Sequence, residues 1–189
     1  AVRMLEAAGI KFRTAEYKVD ENDLSGMHVA EQLGQPPEQV FKTLVLKGGK
    51  TGYLVCCIPV NSELDLKKAA KAAKDKKVEM LHMKDLLSVT GYIRGGCSPV
   101  GMKKKFPTFI DETAILFDEI AVSAGIRGTQ IIVEPNALCE YVEAEFVDLT
   151  MEERCFYGQV VFICRCAYYG CGMRFFLGQA AKAAYFTYR

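Results

Sequence analysis

Apolar and polar positions along the chain alternate in short segments, many of them with the two-residue period of a β-strand. Residues 40–47 (VFKTLVLK) and 51–60 (TGYLVCCIPV) predict two strands joined by a turn at Gly48-Gly49. The second segment is apolar at successive positions, which is typical of a strand buried on both faces. Similar patterns predict further strands or extended segments at 11–19, 78–81, 108–111, 119–125, 128–134 and 144–149.

Short helical patterns lie between these strands. One of them, 66–77, is rich in Ala and Lys and has Asp65 at its N-cap position. Gly34 ends the predicted helix 27–34, and the Pro36-Pro37 pair after it also indicates a helix end there. Because the helices interleave irregularly with the strands, the pattern predicts an α+β fold with a mixed sheet. The predicted helices are 1–9, 27–34, 66–77, 83–89 and 136–142.

Composition and charge restrict the class of protein. A length of 189 residues predicts one domain with room for an appendage. The net charge of +1 excludes a strong overall field toward nucleic acid, so any RNA contact must come from a local patch. The chain has eight cysteines but is too long to need a disulfide scaffold, and no apolar run resembles a signal peptide or a membrane span. We therefore expect a cytoplasmic protein with free thiols and no membrane partner.

The composition changes near residue 151. Residues 151–189 hold ten of the twenty aromatic residues and four of the eight cysteines, and they carry a charge of +3. We therefore predict a domain at 1–150 and an atypical C-terminal tail at 151–189 that lies outside it. Two origins of the tail stay open: a read-through or frameshifted end, which the composition favours, and an extension that packs on the domain or on a partner.

The segment 90–111 (TGYIRGGCSPVGMKKKFPTFID) combines loop-forming glycines with positive charge. Gly96 and Gly101 have the spacing of the two glycines of a P-loop, but Met102 and Lys103 follow instead of Lys and Ser or Thr, which excludes that motif. The loop could still hold an oxyanion or a carbonyl oxygen with its amides. The alternative is that the glycines only serve the turns.

Lys42 stands on an apolar face of its predicted strand, together with Val40, Leu44 and Leu46. Burying an unpaired ammonium is costly, so a lysine at such a position often acts as a hydrogen-bond donor or cationic anchor. The alternative is that its side chain reaches out to water from the end of the strand. The strand alone does not decide between them.

The other reactive side chains give weaker signals. His28 and His82 have no partner at metal-ligand spacing and are predicted to lie at the surface. Cys56 and Cys57 point to opposite faces of a strand, which indicates core packing, and Cys97 has no histidine near it in sequence to activate it. We predict no metal site. Six lysines could form a basic surface for a phosphodiester backbone, or an ordinary solvated face: Lys67, Lys71, Lys74, Lys103, Lys104 and Lys105.

Four of these segments, in this order, resemble the YbaK family of free-standing aminoacyl-tRNA deacylases, whose fold is shared with the editing domain of bacterial prolyl-tRNA synthetases. They are VFKTLVLKGG at 40–49, LDLKKAAKAAKDKKVEM at 64–80, the segment 90–111 and VSAGIRG at 122–128. The resemblance extends from Ala1 to about Thr150. It implies a mixed, strongly curved, barrel-like sheet flanked by short helices.

The resemblance also implies a site. Lys42 would be the functional lysine. The glycine-containing loop within residues 90–111, called the glycine loop below, would bind the aminoacyl end of the tRNA. Some relatives carry an aspartate where this chain has Gln130, which leaves the role of that position open, because a glutamine can only form hydrogen bonds. The residues implied to contact substrate are Tyr17, Thr43, Gly95, Gly96, Cys97, Ser98, Pro99, Gly101, Ser123 and Gln130.

The branch of the family that the chain looks like removes cysteine mischarged onto tRNA(Pro). The substrate's own thiolate would attack its ester, releasing a cyclic thiolactone and free tRNA, so that no cofactor, metal or protein nucleophile is needed. The enzyme would thus be a lyase, or a hydrolase if water attacks instead. Its partner would be tRNA, with or without prolyl-tRNA synthetase in the same complex. Two alternatives stay open: an Ala-tRNA(Pro) deacylase and a non-catalytic module that binds tRNA or a nucleotide.

Overall fold

The structure is a computed structural model that describes residues 1–151, 154–157 and 160–163. Short helices alternate with short strands along the chain, in the order that the sequence pattern predicts. The elements are α1 (Val2–Ala7), β1 (Phe12–Glu16), α2 (Gly26–Leu33), β2 (Phe41–Gly48), β3 (Tyr53–Pro59), α3 (Leu66–Ala72), β4 (Val78–Met80), α4 (Met83–Thr90), β5 (Thr108–Asp111), β6 (Ile120–Ser123), β7 (Thr129–Val133), α5 (Pro135–Tyr141), β8 (Glu145–Val147), β9 (Arg154–Tyr157) and β10 (Val160–Ile163). Two 3₁₀ turns, Pro37–Gln39 and Glu112–Leu116, were not predicted, and neither were β9 and β10. The predicted helix 66–77 was too long, since α3 ends at Ala72.

The larger sheet has five strands in the order β4-β2-β3-β5-β8. Strands β2 and β3 form an antiparallel hairpin from Phe41↔Pro59 to Lys47↔Tyr53, and β4 adds antiparallel to β2. Strands β5 and β8 add in parallel on the other side. The predicted mixed sheet and its α+β class are therefore confirmed.

The smaller sheet is antiparallel and has the order β1-β7-β6. One parallel bridge, Val40↔Ala121, links it to the larger sheet. The prediction of a single strongly curved, barrel-like sheet is wrong for the described strands, since neither sheet closes. No further bridge between the two sheets occurs among the described strands.

Two apolar clusters account for most of the core. One contains Phe41, Val55, Ile110 and Ile131 and joins the inner faces of both sheets with α1 and α5. The other contains Cys56 and Ile58 and lies under α3, on the opposite face of the larger sheet. Strand β3 thus contributes to both clusters, as its continuous apolar sequence predicts.

Two helix ends follow the predicted signals, the start of α3 and the end of α2. The Asp65 carboxylate accepts hydrogen bonds from the backbone N–H groups of Lys67 and Lys68 at the start of α3. Gly34 ends α2 with a φ of 62°, in the left-handed region that glycine adopts without strain. A side-chain hydrogen bond and a glycine conformation, both set by residues at the helix end itself, therefore fix these boundaries.

The contacts of the chain divide it into Ala1–Met151 and Glu152–Arg189. Within the second unit, β9 and β10 form an antiparallel pair. The independent folding of residues 1–150 stays a prediction, and the origin of the tail lies outside the described residues. Among the described helices, none is both long and apolar enough to cross a bilayer.

Candidate functional site

A cavity of about 400 Å³ lies where β2 separates from the smaller sheet beyond the Val40↔Ala121 bridge. It is bounded by β2, α2, the ends of β6 and β7, and the glycine loop that follows α4. This volume is in the range of small-ligand sites. The structure brings seven of the predicted site residues into its lining: Tyr17, Lys42, Thr43, Gly95, Cys97, Ser123 and Gln130.

Lys42 lines the cavity and is half-buried. Its Nζ donates a hydrogen bond to the carbonyl oxygen of Val60, at 3.2 Å. Desolvation by burial lowers the pKa of Lys42, and the charge of Glu63 opposes this shift. Lys42 is thus a cation held by a neutral acceptor, which leaves its charge available to an anionic or developing negative group.

Gln130 and Ser123 face each other in the antiparallel pair of β6 and β7. Gln130 is 6% exposed, and its Oε1 has no hydrogen-bond partner among the described residues. Buried polar atoms are almost always paired, so the unpaired Oε1 makes Gln130 an unusual residue of the cavity lining. The Ser123 Oγ accepts a hydrogen bond from the backbone N–H of Gly125, at 3.3 Å.

Only part of the glycine loop lines the cavity directly. Gly95 lies in the cavity lining with a φ of +80°, whereas the N–H of Gly96 is already donated to the carbonyl of Ile93, at 3.0 Å. A Cβ on Gly96 would lie 3.3 Å from the backbone of Ile126, a tight contact that favours glycine where the two backbones pack closely. The remaining predicted loop residues, Ser98, Pro99 and Gly101, lie outside the cavity lining.

Cys97 reaches the cavity as a thiol that is difficult to ionise. Burial raises its pKa to about 12. Cys57 lies behind the wall with its pKa also raised to about 12 by burial, and its Sγ is 3.8 Å from the Oγ1 of Thr43. Since the thiolate is the reactive form, neither cysteine is prepared as a nucleophile at neutral pH.

Sequence reasoning missed His28, which was predicted to lie at the surface and in fact lines the cavity. Its Nε2 is 2.8 Å from the Nε2 of Gln32, whose amide group is oriented by two hydrogen bonds to the backbone of Lys18. An amide nitrogen only donates, so the His28 Nε2 accepts and its ring hydrogen lies on Nδ1. The Nε2 of His28 is therefore already hydrogen-bonded to a neighbour on the same helix.

A second group of residues that the sequence did not indicate also lines the cavity. Arg94 and Asp23 line it, together with the exposed side chains of Met27, Met80 and Met83. These residues come from α2, from the region of β4 and α4, and from adjacent loops. No signal in the sequence could have found them, because only the tertiary fold brings these segments together.

The six lysines predicted as RNA contacts do not line the cavity. Lys103 donates hydrogen bonds to the carbonyl groups of Leu87 and Ser88 at the end of α4, and Lys105 forms an ion pair with Glu143. Lys67, Lys71 and Lys74 are exposed on α3 or directly after it. Their contact with RNA stays a prediction. No group of three potential metal ligands occurs among the described residues.

Comparison with known proteins gives matches over most of the described chain. The family model of the aminoacyl-tRNA editing domain matches residues 26–141. A protein of Enterococcus faecalis named as a proposed Cys-tRNA(Pro)/Cys-tRNA(Cys) deacylase, EbsC, is 51% identical over 153 residues, which is 81% of this chain and 93% of that protein.

Two further matches are more distant. A proline–tRNA ligase of Fervidobacterium nodosum is 30% identical over 102 residues, which covers 48% of this chain and 18% of the ligase. The crystal structure of a protein described as a proposed trans-editing enzyme for prolyl-tRNA synthetase superposes with a TM-score of 0.69 at 24% identity, over 78% of this chain and 92% of that one. At this identity the superposition shows a common fold.

Proposed function

The chain belongs to the aminoacyl-tRNA editing domain family, and we propose that it is a free-standing deacylase that removes cysteine mischarged onto tRNA(Pro). The size of its relatives supports a free-standing protein. The match covers 93% of the deacylase relative but only 18% of the ligase, in which the domain is one part of a larger chain. Mischarged tRNA arises where tRNA is charged, so we place the activity in the cytoplasm.

The observation that carries this proposal is the position of Lys42. The resemblance in sequence implies that it is the family's functional lysine, and its side chain is half-buried in the lining of a cavity of about 400 Å³. Such a cavity can accept an aminoacyl ester but not a folded tRNA, so most of the tRNA would stay outside. Lys42 would stabilise negative charge as it develops on the ester or on a neighbouring phosphate.

We assign the nucleophile to the substrate. The cysteine thiolate would form a bond from its sulfur to the ester carbonyl carbon, the bond from that carbon to the ribose oxygen would break, and the ribose oxygen would take up a proton. The products would be a cyclic thiolactone and free tRNA. High thiol pKa values support this assignment, because Cys97 and Cys57 stay protonated at neutral pH.

The hydrogen bond between His28 and Gln32 supports it as well, because His28, a histidine of the cavity lining, is already engaged by a neighbour on its own helix. The protein would hold the ester and the thiolate in a reactive geometry and stabilise the developing charge. A complex with prolyl-tRNA synthetase is compatible with this scheme but is not required by it.

A panel of charged tRNAs tests the proposal. The full chain should release cysteine from Cys-tRNA(Pro) and leave Pro-tRNA(Pro) intact, measured as loss of labelled amino acid from the tRNA. Release of alanine from Ala-tRNA(Pro) with cysteine retained would instead identify the alanine-specific branch of the fold. Binding of Cys-tRNA(Pro) with no release of any amino acid would show a non-catalytic module and contradict the proposal.

A further inference from the structure

The backbone of β2 has two edges, and its hydrogen bonds to neighbouring strands show which residues face each of them. Val60 N–H donates to Val40 C=O at 2.8 Å, and Gly48 N–H donates to Gly52 C=O at 2.7 Å. The even-numbered residues of β2 therefore direct their peptide groups toward β3. On the other edge, Leu81 N–H donates to Val45 C=O at 3.0 Å, so the odd-numbered residues face away from β3.

The outer edge of β2 is covered at both ends but not in the middle. At one end β4 pairs only with Leu46–Gly48 and is extended by the bond from Leu81 to Val45. At the other end the smaller sheet touches at the Val40↔Ala121 bridge. Among the described strands, none lies opposite Thr43. Its N–H and C=O point outward at the place where Thr43 lines the cavity.

An exposed strand edge offers a donor and an acceptor on the same residue. In an antiparallel pair, a hydrogen-bonded residue supplies its own N–H to the partner's C=O and accepts the partner's N–H. An α-aminoacyl ester has the matching groups, an amino group and a carbonyl oxygen on either side of its α-carbon. It can therefore form this pair of hydrogen bonds with one residue of a strand.

We propose that the backbone of Thr43 binds the aminoacyl group of the substrate as if it were the next residue of a β-ladder. The Thr43 C=O accepts from the α-ammonium group, and the Thr43 N–H donates to the ester carbonyl oxygen, where negative charge develops in the reaction. This inference rests on the proposed function and adds a backbone donor to it.

The arrangement divides recognition between backbone and side chains. Thr43 N–H and C=O contact only the groups that all α-amino acids share, so they position the ester without reading the amino-acid side chain. Selection of cysteine is left to the chemistry of the substrate thiol and to the rest of the wall. A substrate that lacks the α-amino group should therefore bind poorly even if its thiol is kept.

The N–H group is tested by replacing Thr43 with its α-hydroxy acid, which turns the amide N–H into an ester oxygen and keeps the side chain. We expect the single-turnover rate on Cys-tRNA(Pro) to fall on the order of 100-fold, as for loss of an oxyanion donor. The same replacement at Lys47, whose N–H faces β4, is the matched control and should keep the rate within about twofold. A wild-type rate for the Thr43 replacement would overturn the proposal.

The Thr43 C=O, the proposed acceptor for the α-ammonium group, is tested by a binding measurement that needs no turnover. The full chain is titrated with adenosine that carries cysteine through a stable 3′-amide, and with the same compound lacking the α-amino group. Loss of the charged hydrogen bonds should weaken binding by roughly tenfold or more. Equal affinities would overturn the proposed pairing with Thr43 and leave the proposed function standing. A wild-type chain that releases no amino acid from any tRNA would instead overturn the proposed function.

Discussion

Lys42 combines burial, a positive charge and a neutral partner, the carbonyl oxygen of Val60. The alternation of side chains along β2 was sufficient to predict that this lysine lies near apolar residues. Its partner could not be predicted, because Val60 reaches it only through the register of the β2–β3 hairpin. His28 was missed for the same reason: the helix that carries it reaches the cavity only in the tertiary fold.

Replacing Lys42 by Ala should lower deacylation of Cys-tRNA(Pro) by at least ~100-fold, because removing one preorganised electrostatic group costs a few kcal/mol in the transition state. The measurement is the single-turnover rate, with thermal unfolding to confirm that the fold is kept. Lys47→Ala, on the same strand but exposed, is the matched control and should keep the rate. Near-normal turnover by Lys42→Ala would remove Lys42 from the site.

The charge of Lys42 should also affect how the deacylation rate depends on pH. Desolvation lowers the pKa of Lys42, so its positive charge is lost at a lower pH than for an exposed lysine. The rate should therefore rise as the substrate thiol ionises and fall again as Lys42 loses its proton. Lys42→Arg, which stays charged, should lack the fall at high pH even if its rate is lower. An unchanged high-pH limb in this variant would assign the fall to another group.

Cys97 should be dispensable for the chemistry although it lines the cavity. Burial raises the pKa of its thiol to about 12, so almost none of it is thiolate at neutral pH. Cys97→Ala should change the single-turnover rate by less than about fivefold. A loss as large as that of Lys42→Ala, or a covalent cysteinyl adduct on Cys97 detected by mass spectrometry, would show that the protein supplies the nucleophile.

At the scale of elements, the sequence predicted most strands and helices within one or two residues, but not how the strands divide into sheets. Local signals such as Gly34 and Asp65 fix helix ends, because they act through neighbouring backbone groups. The way the five-stranded and three-stranded sheets meet depends on the Val40↔Ala121 bridge, which joins residues far apart in sequence. The separation of β2 from β6 beyond this bridge creates the space for the cavity.

The N-cap of α3 gives a prediction for stability. Asp65 accepts two backbone N–H groups, at 2.7 and 3.2 Å, that have no acceptor within the helix. Asp65→Ala should lower the free energy of unfolding by about 1 kcal/mol, measured by urea denaturation, because those donors lose their partner. Asp65→Asn keeps an acceptor and should lose clearly less. Equal losses in the two variants would show that the cap does not act through hydrogen bonding.

At the scale of the whole molecule, the contacts divide the chain after Met151. Residues just before this point are tied to the domain: Met151 N–H donates to Glu63 C=O at 2.9 Å, and the Lys68 ammonium contacts both Asp148 and Thr150. The compositional change near residue 151 was visible in the sequence. These contacts were not, because they depend on where the last segment crosses α3.

A chain that ends at Met151 should unfold cooperatively and keep deacylase activity, because it retains these contacts and the whole cavity lining. Thermal unfolding and the single-turnover rate are the measurements. A chain that ends at Val147 is the comparison and should be clearly less stable, because it loses the buried side chain of Leu149 and the ion pair of Asp148. Loss of cooperative unfolding at Met151 would make residues 152–189 part of the folded core.

Release of cysteine by the thiol of the substrate is tested most directly by comparing Cys-tRNA(Pro) with Ser-tRNA(Pro). The two amino acids differ by one atom, and a pocket distinguishes such a difference by only about 1–3 kcal/mol through fit. A thiolate attacks without a base, whereas a serine hydroxyl needs one. We predict rapid cleavage of Cys-tRNA(Pro), almost none of Ser-tRNA(Pro), and cysteine thiolactone as the first trapped product. Comparable rates for the two tRNAs, or labelled water entering the amino acid before any thiolactone forms, would contradict it.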